Sequence, residues 1–146
     1  MVKPVHILLI DDNPEDIMLV RNHVVNQNSH IDLNILQNYT DALDFLFAIT
    51  SDEVQEKPQL ILLELTVSNS KGKQLLTMIK EHEELKKIPL LILTNSKDRK
   101  YALECYNHHA NAYIQKPESK ERFFALIDTI LKFWLDTVSL PEFTWR

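Results

Sequence analysis

The fold is decided by residues 60–65, LILLEL, a run of branched apolar residues carrying a single carboxylate, Glu64, near its end. A strand so uniformly apolar is buried on both faces, which places it in the middle of a parallel sheet with helices on either side. Side chains at the carboxyl ends of such strands face the crevice where open α/β folds put their sites. Glu64 is therefore a candidate site residue. The plainer reading makes it a strand terminator pointing at solvent.

Upstream, Val5 to Ile10 is a second apolar run ending in Asp11 and Asp12, and Asn13-Pro14 supplies an N-cap and a proline at the first helical position. The helix that follows turns Ile17, Leu19, Val20 and Val24 inward and fades near residues 26–29. Residues 31–36 alternate as a strand. A second helix starts near Tyr39 or Thr40 with Ala42, Leu43, Leu46 and Phe47 as its apolar stripe, and residues 51–58 form a polar loop that stops at Pro58.

Downstream of Glu64, TVSNSKGK reads as a loop and Gln74 to His82 as a helix burying Leu75, Leu76 and Ile79. Leu90 to Leu93 is another fully apolar strand, ending at Thr94. A helix over about 97–108, a strand over Ala112 to Gln115, and Lys116-Pro117 come next. The last helix, Ser119 to about Thr137, carries Phe123, Ile127, Ile130 and Trp134 on one side, with Phe124, Leu131 and Leu135 beside them. Five strands alternating with five helices predict an α/β fold with a doubly wound five-stranded parallel sheet and right-handed crossovers. One domain is expected over residues 1–138, with residues 139–146 as a tail.

Composition narrows the chemistry. The chain has 146 residues, 45% hydrophobic and 25% charged, which suits one globular domain. No apolar run is long enough to span a bilayer and the N-terminus lacks a signal-peptide pattern, so a cytoplasmic location with no membrane partner is expected. The net charge is -5 without a basic cluster, which argues against direct nucleic-acid binding. Gly72 is the only glycine, so GxGxxG, the Walker loop and GxSxG are all excluded. Cys105 is alone, and six histidines lie scattered without a ligand spacing, so no histidine metal site is expected.

The strand ends supply the chemistry. Asp11, Asp12, Glu64, Thr94 and Lys116 all follow strands, and in a parallel sheet they emerge on one edge. Two like charges about 4 Å apart repel by roughly 4 kcal/mol at an effective dielectric near 20, so three carboxylates need a cation among them. Lys116, a hydrated divalent ion, or both would serve, and oxygen ligands with retained waters suit Mg²⁺.

The series IDD at 10–12, LILLEL, ILTNS at 92–96 and QKP at 115–117 resembles the receiver domain of two-component response regulators, in order and spacing over residues 5–135. More narrowly, IKEHEELKKIPLLILTNS, NAYIQKP and the ending FWLDTVSLPE resemble the single-domain regulators that partner cyanobacterial phytochromes. The resemblance implies a flavodoxin-like sheet of order 2-1-3-4-5 and phosphoryl transfer from a sensor histidine kinase, phytochrome-like in this subfamily. It implies Mg²⁺ held by Asp11, Asp12, the acceptor position Glu64 and the Thr66 carbonyl, phosphoryl contacts from Thr94 and Lys116, and a switch formed by Thr94 and Tyr113. No output domain follows, so the effect is expected through protein contact.

The sequence departs from the family at its centre. Glu64 replaces the acceptor aspartate, Ser68 the usual proline, Lys71 the usual acid before Gly72, and His109 the usual glycine. Glutamate reaches about 1.5 Å further, and a misplacement of about 1 Å costs on the order of 100-fold in a reaction that depends on alignment. Mg²⁺ binding is expected to be weakened or absent, and enzymatic turnover is not expected. Glu64 should instead pair with Lys116 and imitate the phosphorylated state, biasing Thr94 and Tyr113. The alternative is a phosphorylation-independent dimeric interaction module with a relic pocket. Its interface would be formed by Phe124, Leu131, Trp134 and Leu135, with Leu140, Phe143 and Trp145 beyond them.

Overall fold

The computed structural model describes residues 3–27, 30–51 and 56–142. Five parallel strands, β1 (Val5–Ile10), β2 (Ile31–Leu36), β3 (Leu60–Leu63), β4 (Leu90–Thr94) and β5 (Ala112–Gln115), form one sheet of order β2-β1-β3-β4-β5. The apolar run that reads as central in the sequence is central in space. β3 pairs with β1 through Ile7↔Leu60 to Ile10↔Leu63 and with β4 through Ile61↔Leu90 to Leu63↔Ile92.

Among the described residues there are five α-helices, α1 (Pro14–Gln27), α2 (Tyr39–Ile49), α4 (Gly72–Glu81), α5 (Lys100–Asn107) and α6 (Lys120–Leu131), and a short, mostly left-handed turn labelled α3 (Val67–Ser70). A 3₁₀ turn over Leu85–Lys87 precedes β4, and a π-helical turn over Lys132–Thr137 extends α6. The helix starts are set by local side chains. Asn13 accepts from the Asp16 N–H at 3.1 Å, Asn38 from Asp41 at 2.8 Å, and Ser119 from Arg122 at 3.1 Å, each satisfying a backbone donor that the helix leaves open.

Strand side chains alternate between two cores. Leu8, Ile10, Ile61, Leu63, Leu90 and Ile92 pack with α2, α4 and Cys105 of α5. Ile7, Leu9, Leu60, Leu62, Leu91 and Leu93 pack with α1 and α6. Full burial of such side chains stabilises by about 1.5–3 kcal/mol each, so both layers hold the sheet in place. One imidazole joins the second layer: His23 of α1 is fully buried beside the Phe124 ring, 4.4 Å between centroids, and neither ring nitrogen has a hydrogen-bond partner among the described residues.

Several expectations need correction. Phe47 is 61% exposed, and Ile49 takes its place beside Ala42 and Leu46. At about 100° per residue Phe47 lies roughly 140° from Ala42, whereas Ile49 returns to the same face. The loop after Glu64 contains the turn α3, and α4 begins at Gly72 rather than Gln74. The α5 helix starts at Lys100. Leu131 was expected at an interface, but it is 4% exposed and belongs to the α1–α6 core. Trp134 and Leu135 are half-buried against that core, while Phe124 keeps 39% of its surface exposed. The tail turns back toward the sheet, where the Gln59 amide donates to the Pro141 carbonyl at 3.2 Å. Phe143 and Trp145, and residues 52–55 of the 51–58 loop, lie outside the described residues. No helix among the described residues is long and apolar enough to cross a membrane.

Candidate functional site

The strand ends converge as their order requires. Asp11 and Asp12 follow β1, Glu64 follows β3, Thr94 ends β4 and Lys116 follows β5. At the centre is the Lys116 ammonium, 2.6 Å from Asp11 Oδ2, 2.9 Å from Asp16 Oδ2 and 3.2 Å from Glu64 Oε1. The Lys116 and Glu64 side chains are each only 1% exposed. Burial works against a charge on Lys116, but the carboxylates of Asp11 and then Glu64 outweigh it and leave its pKa raised. Burial also pushes the Asp11 carboxyl up, with Lys116 opposing.

Glu64 occupies a built seat. Its Oε1 accepts from the Asn95 N–H at 2.8 Å as well as from Lys116, and its Oε2 accepts from the Thr66 N–H at 3.3 Å. Two backbone donors and one ammonium thus converge on a single carboxylate. Such an arrangement stabilises localised negative charge because the donors are fixed before it arrives. Asp16 completes the frame by accepting from the Asn95 amide at 2.8 Å while it holds Lys116. The sequence reading missed both Asp16 and Asn95. The signal for Asp16 was its place in the first turn of α1, one turn beyond the Asp11-Asp12 pair.

The other expected residues divide. Thr94 is fully buried, and its hydroxyl accepts from the Ser96 N–H at 3.1 Å, turned to its own loop. Asp12 is exposed, and its Oδ2 accepts from the Ser68 N–H at 3.1 Å rather than from Lys116. Tyr113 is half-buried against the α2–α4 core with its hydroxyl 3.4 Å from the Asp98 carbonyl, and burial pushes its phenol pKa up.

The loop between β3 and α4 explains two of the departures. Ser68, Asn69 and Ser70 have φ of 50°, 59° and 68°, and three successive non-glycine residues there cost roughly 1–2 kcal/mol each. Proline at 68 could neither adopt that φ nor donate to Asp12. Ser68 does both, and its hydroxyl also accepts from the Tyr39 N–H at 2.8 Å, tying the loop to α2. Lys71, in place of an acid, lies 5.0 Å over the Tyr39 ring. Gly72 is required for a different reason. A Cβ there would come within 2.5 Å of Leu65 Cα and 2.6 Å of the Glu64 carbonyl oxygen, so only glycine lets α4 start against the strand that carries Glu64.

A divalent cation fits the chemistry of the donor set. Asp11 and Asp12 carboxylates and the Thr66 carbonyl are hard oxygen ligands of the kind Mg²⁺ and Mn²⁺ take. Three carboxylates, those of Asp11, Asp16 and Glu64, face one ammonium, and Asp12 is held separately by the Ser68 N–H. The Thr66 carbonyl accepts from the Ser70 N–H at 3.2 Å, which leaves it one further lone pair.

Comparison with known proteins gives a consistent answer. The family model described as "Response regulator receiver domain" matches residues 7–128. The chain is 33% identical over 138 residues to Response regulator Rcp1 of Synechocystis sp., covering 94% of each protein. It is 30% identical to the probable methanogenesis regulatory protein FilR2 of Methanothrix harundinacea, over 90% of this chain and 84% of the other. Among solved structures it superposes on the phosphorylated cyanobacterial phytochrome response regulator RcpA with TM-score 0.87 and 29% identity, covering 95% and 99% of the two chains. For the Mn²⁺-bound form of Rcp1 the TM-score is 0.86 at 33% identity, covering 95% and 100%.

Proposed function

The chain belongs to the response regulator receiver family, and on that footing we propose that it signals by protein contact with Glu64 acting as a built-in substitute for the phosphorylated acceptor. The observation that carries this reading is the seat of Glu64: one carboxylate engaged by Lys116, the Asn95 N–H and the Thr66 N–H together. A shorter aspartate at 64 would leave those donors free for a phosphoryl group. The glutamate fills the space itself.

Lys116 keeps the carboxylates together by charge, and the two backbone N–H groups fix the direction of Glu64. Asp16 holds both Lys116 and Asn95, so a change at Glu64 is felt at the β4–α5 loop. Tyr113, whose hydroxyl reaches the same loop at Asp98, is the group through which that change would be read. Asp11, Asp12 and the Thr66 carbonyl are the groups that would hold Mg²⁺ or Mn²⁺, with affinity lowered because Lys116 and Ser68 already engage two of the carboxylates. When bound, the cation supplies positive charge against the oxygens of a phosphoryl donor. The relatives associated with phytochromes support a sensor histidine kinase of that type as the upstream partner. The exposed Phe124 and half-buried Trp134 and Leu135 support a homodimer through α6.

The test is intact mass after incubation with Mg²⁺ and a small phosphodonor, for the natural protein and Glu64→Asp, with oligomer size recorded. Glu64→Asp is expected to gain a labile phosphoryl group while the natural protein does not, and the assembly state of the natural protein should match that of phosphorylated Glu64→Asp. If neither protein is modified and Glu64→Gln assembles like the natural chain, the phosphorylation-independent module takes over.

A further inference from the structure

At the amino-terminal end of the sheet, where β1 and β2 meet the end of α2, a second group of ligand-type side chains comes together. His6 and Asp32 are register partners on these neighbouring strands. Glu56 reaches the same place from the segment before β3, and the His6, Asp32 and Glu56 ligand atoms all lie within 4.8 Å of one another. They line a concavity with Asn34, Phe45 and Ala48. The acidic pocket is at the other end of β1, five residues or about 16 Å away. Nothing in the receiver chemistry described above uses this group.

The geometry points to a site for a borderline divalent ion, Zn²⁺ in the first place, held by His6 Nδ1, Asp32 and Glu56. The 3.3 Å between His6 Nδ1 and Asp32 Oδ2 is long for a hydrogen bond. It equals the edge, about 3.3 Å, of a tetrahedron with metal–ligand bonds near 2.0–2.1 Å. Two ligands are therefore already at coordination spacing. The third, an exposed glutamate, closes the remaining gap by side-chain rotation.

The frame around these residues is fixed. His6 is on a paired strand with its side chain 13% exposed, and its backbone N–H and carbonyl are both engaged by Gln59. Next to Glu56, the Lys57 ammonium is buried on the carbonyls of Ile49 at 2.5 Å and Ser51 at 2.8 Å, which anchors the segment where Glu56 leaves it. One imidazole with two carboxylates selects against Mg²⁺, which favours all-oxygen sites and retained water, and suits Zn²⁺ with a water in the fourth position. The two cation sites thus differ in ligand class as well as in place.

The experiment is a Zn²⁺ titration of the full chain against a chromogenic chelator in excess Mg²⁺, on the natural protein, His6→Gln, Asp32→Asn, Glu56→Gln and the double change His108→Gln/His109→Gln. One equivalent is expected to bind in the natural protein and the double variant. Each of the three ligand variants should lose about tenfold or more in affinity. X-ray absorption should show one imidazole, oxygen neighbours and no sulfur. Asp32 and Glu56 are exposed, so their variants carry the test if His6→Gln does not fold. Unchanged affinity in all three variants, loss of binding in the His108/His109 variant, no saturable equivalent, or displacement by Mg²⁺ would each overturn the assignment.

Discussion

Lys116, at the carboxyl-terminal edge of the sheet, and Lys80, at the amino-terminal end where α4 closes, are both drawn out of water, and their pKa values move in opposite directions. Lys80 donates to the carbonyls of Lys86 at 3.1 Å and Ile88 at 2.8 Å, and burial lowers its pKa to about 8. Lys116 is more deeply buried, yet its pKa is raised, because Asp11, Glu64 and Asp16 surround it. Carbonyl dipoles satisfy the hydrogen bonds of an ammonium without offsetting the loss of hydration. Fixed carboxylates do both. The pocket edge is built to keep a cation in place, whereas the Lys80 edge merely caps the end of a helix and the turn after it.

Removing the cation from the pocket breaks this comparison most severely. Lys116→Met leaves Asp11 and Glu64 buried without their partner, and a loss of about 3–5 kcal/mol is expected in denaturant unfolding. The same change at Lys80 should cost far less, since no buried carboxylate is stranded. Gly72→Ala comes next. The new Cβ meets backbone rather than a side chain that can swing away, so about 3 kcal/mol of destabilisation is expected, and Glu64 should be displaced with the loop.

The pH response sharpens the contrast. In the folded protein Lys80 releases its proton near pH 8, whereas the unfolded chain holds it to about 10.5. The unfolded state binds more protons in that window, so this group makes stability rise with pH between 8 and 10.5. Because Lys80 is only half-buried, the gain is about 1 kcal/mol after solvent screening, and Lys80→Met should abolish it. Lys116 acts with the opposite sign. Its raised pKa contributes stability that is complete below 10.5 and is lost as pH rises through its folded value.

A smaller slope is expected from His23, whose pKa is lowered by burial while Asp128, at 3.4 Å, opposes. Stability should fall as pH drops through 6.5, where the unfolded chain takes up a proton that the folded one resists. Unfolding curves of His23→Phe across that range should be flatter.

Much of this was legible in the chain. The runs at 60–65 and 90–94 could only be central strands, and the charged residues that follow β1, β3 and β5 had to share an edge. The Glu64–Lys116 pair followed from that edge. Asp16 was hidden because an acid in the first turn of a helix is ordinary. Asn95 was hidden because its backbone N–H, which any residue but proline could supply, does the work. Phe47 and Leu131 were misplaced because a wide apolar stripe does not say which of its members faces the sheet.

The sequence by itself determined the order of elements, the parallel sheet, the acidic edge and the lone glycine, because each follows from periodicity or from residue types next to one another in the chain. Only the tertiary structure decided that Gly72 clears the backbone beside Glu64, and that Ser68 turns its N–H to Asp12. It alone brought His6, Asp32 and Glu56 together. Those are distances between residues that are not neighbours in the chain, set by loop geometry, register and packing, and no local pattern encodes them.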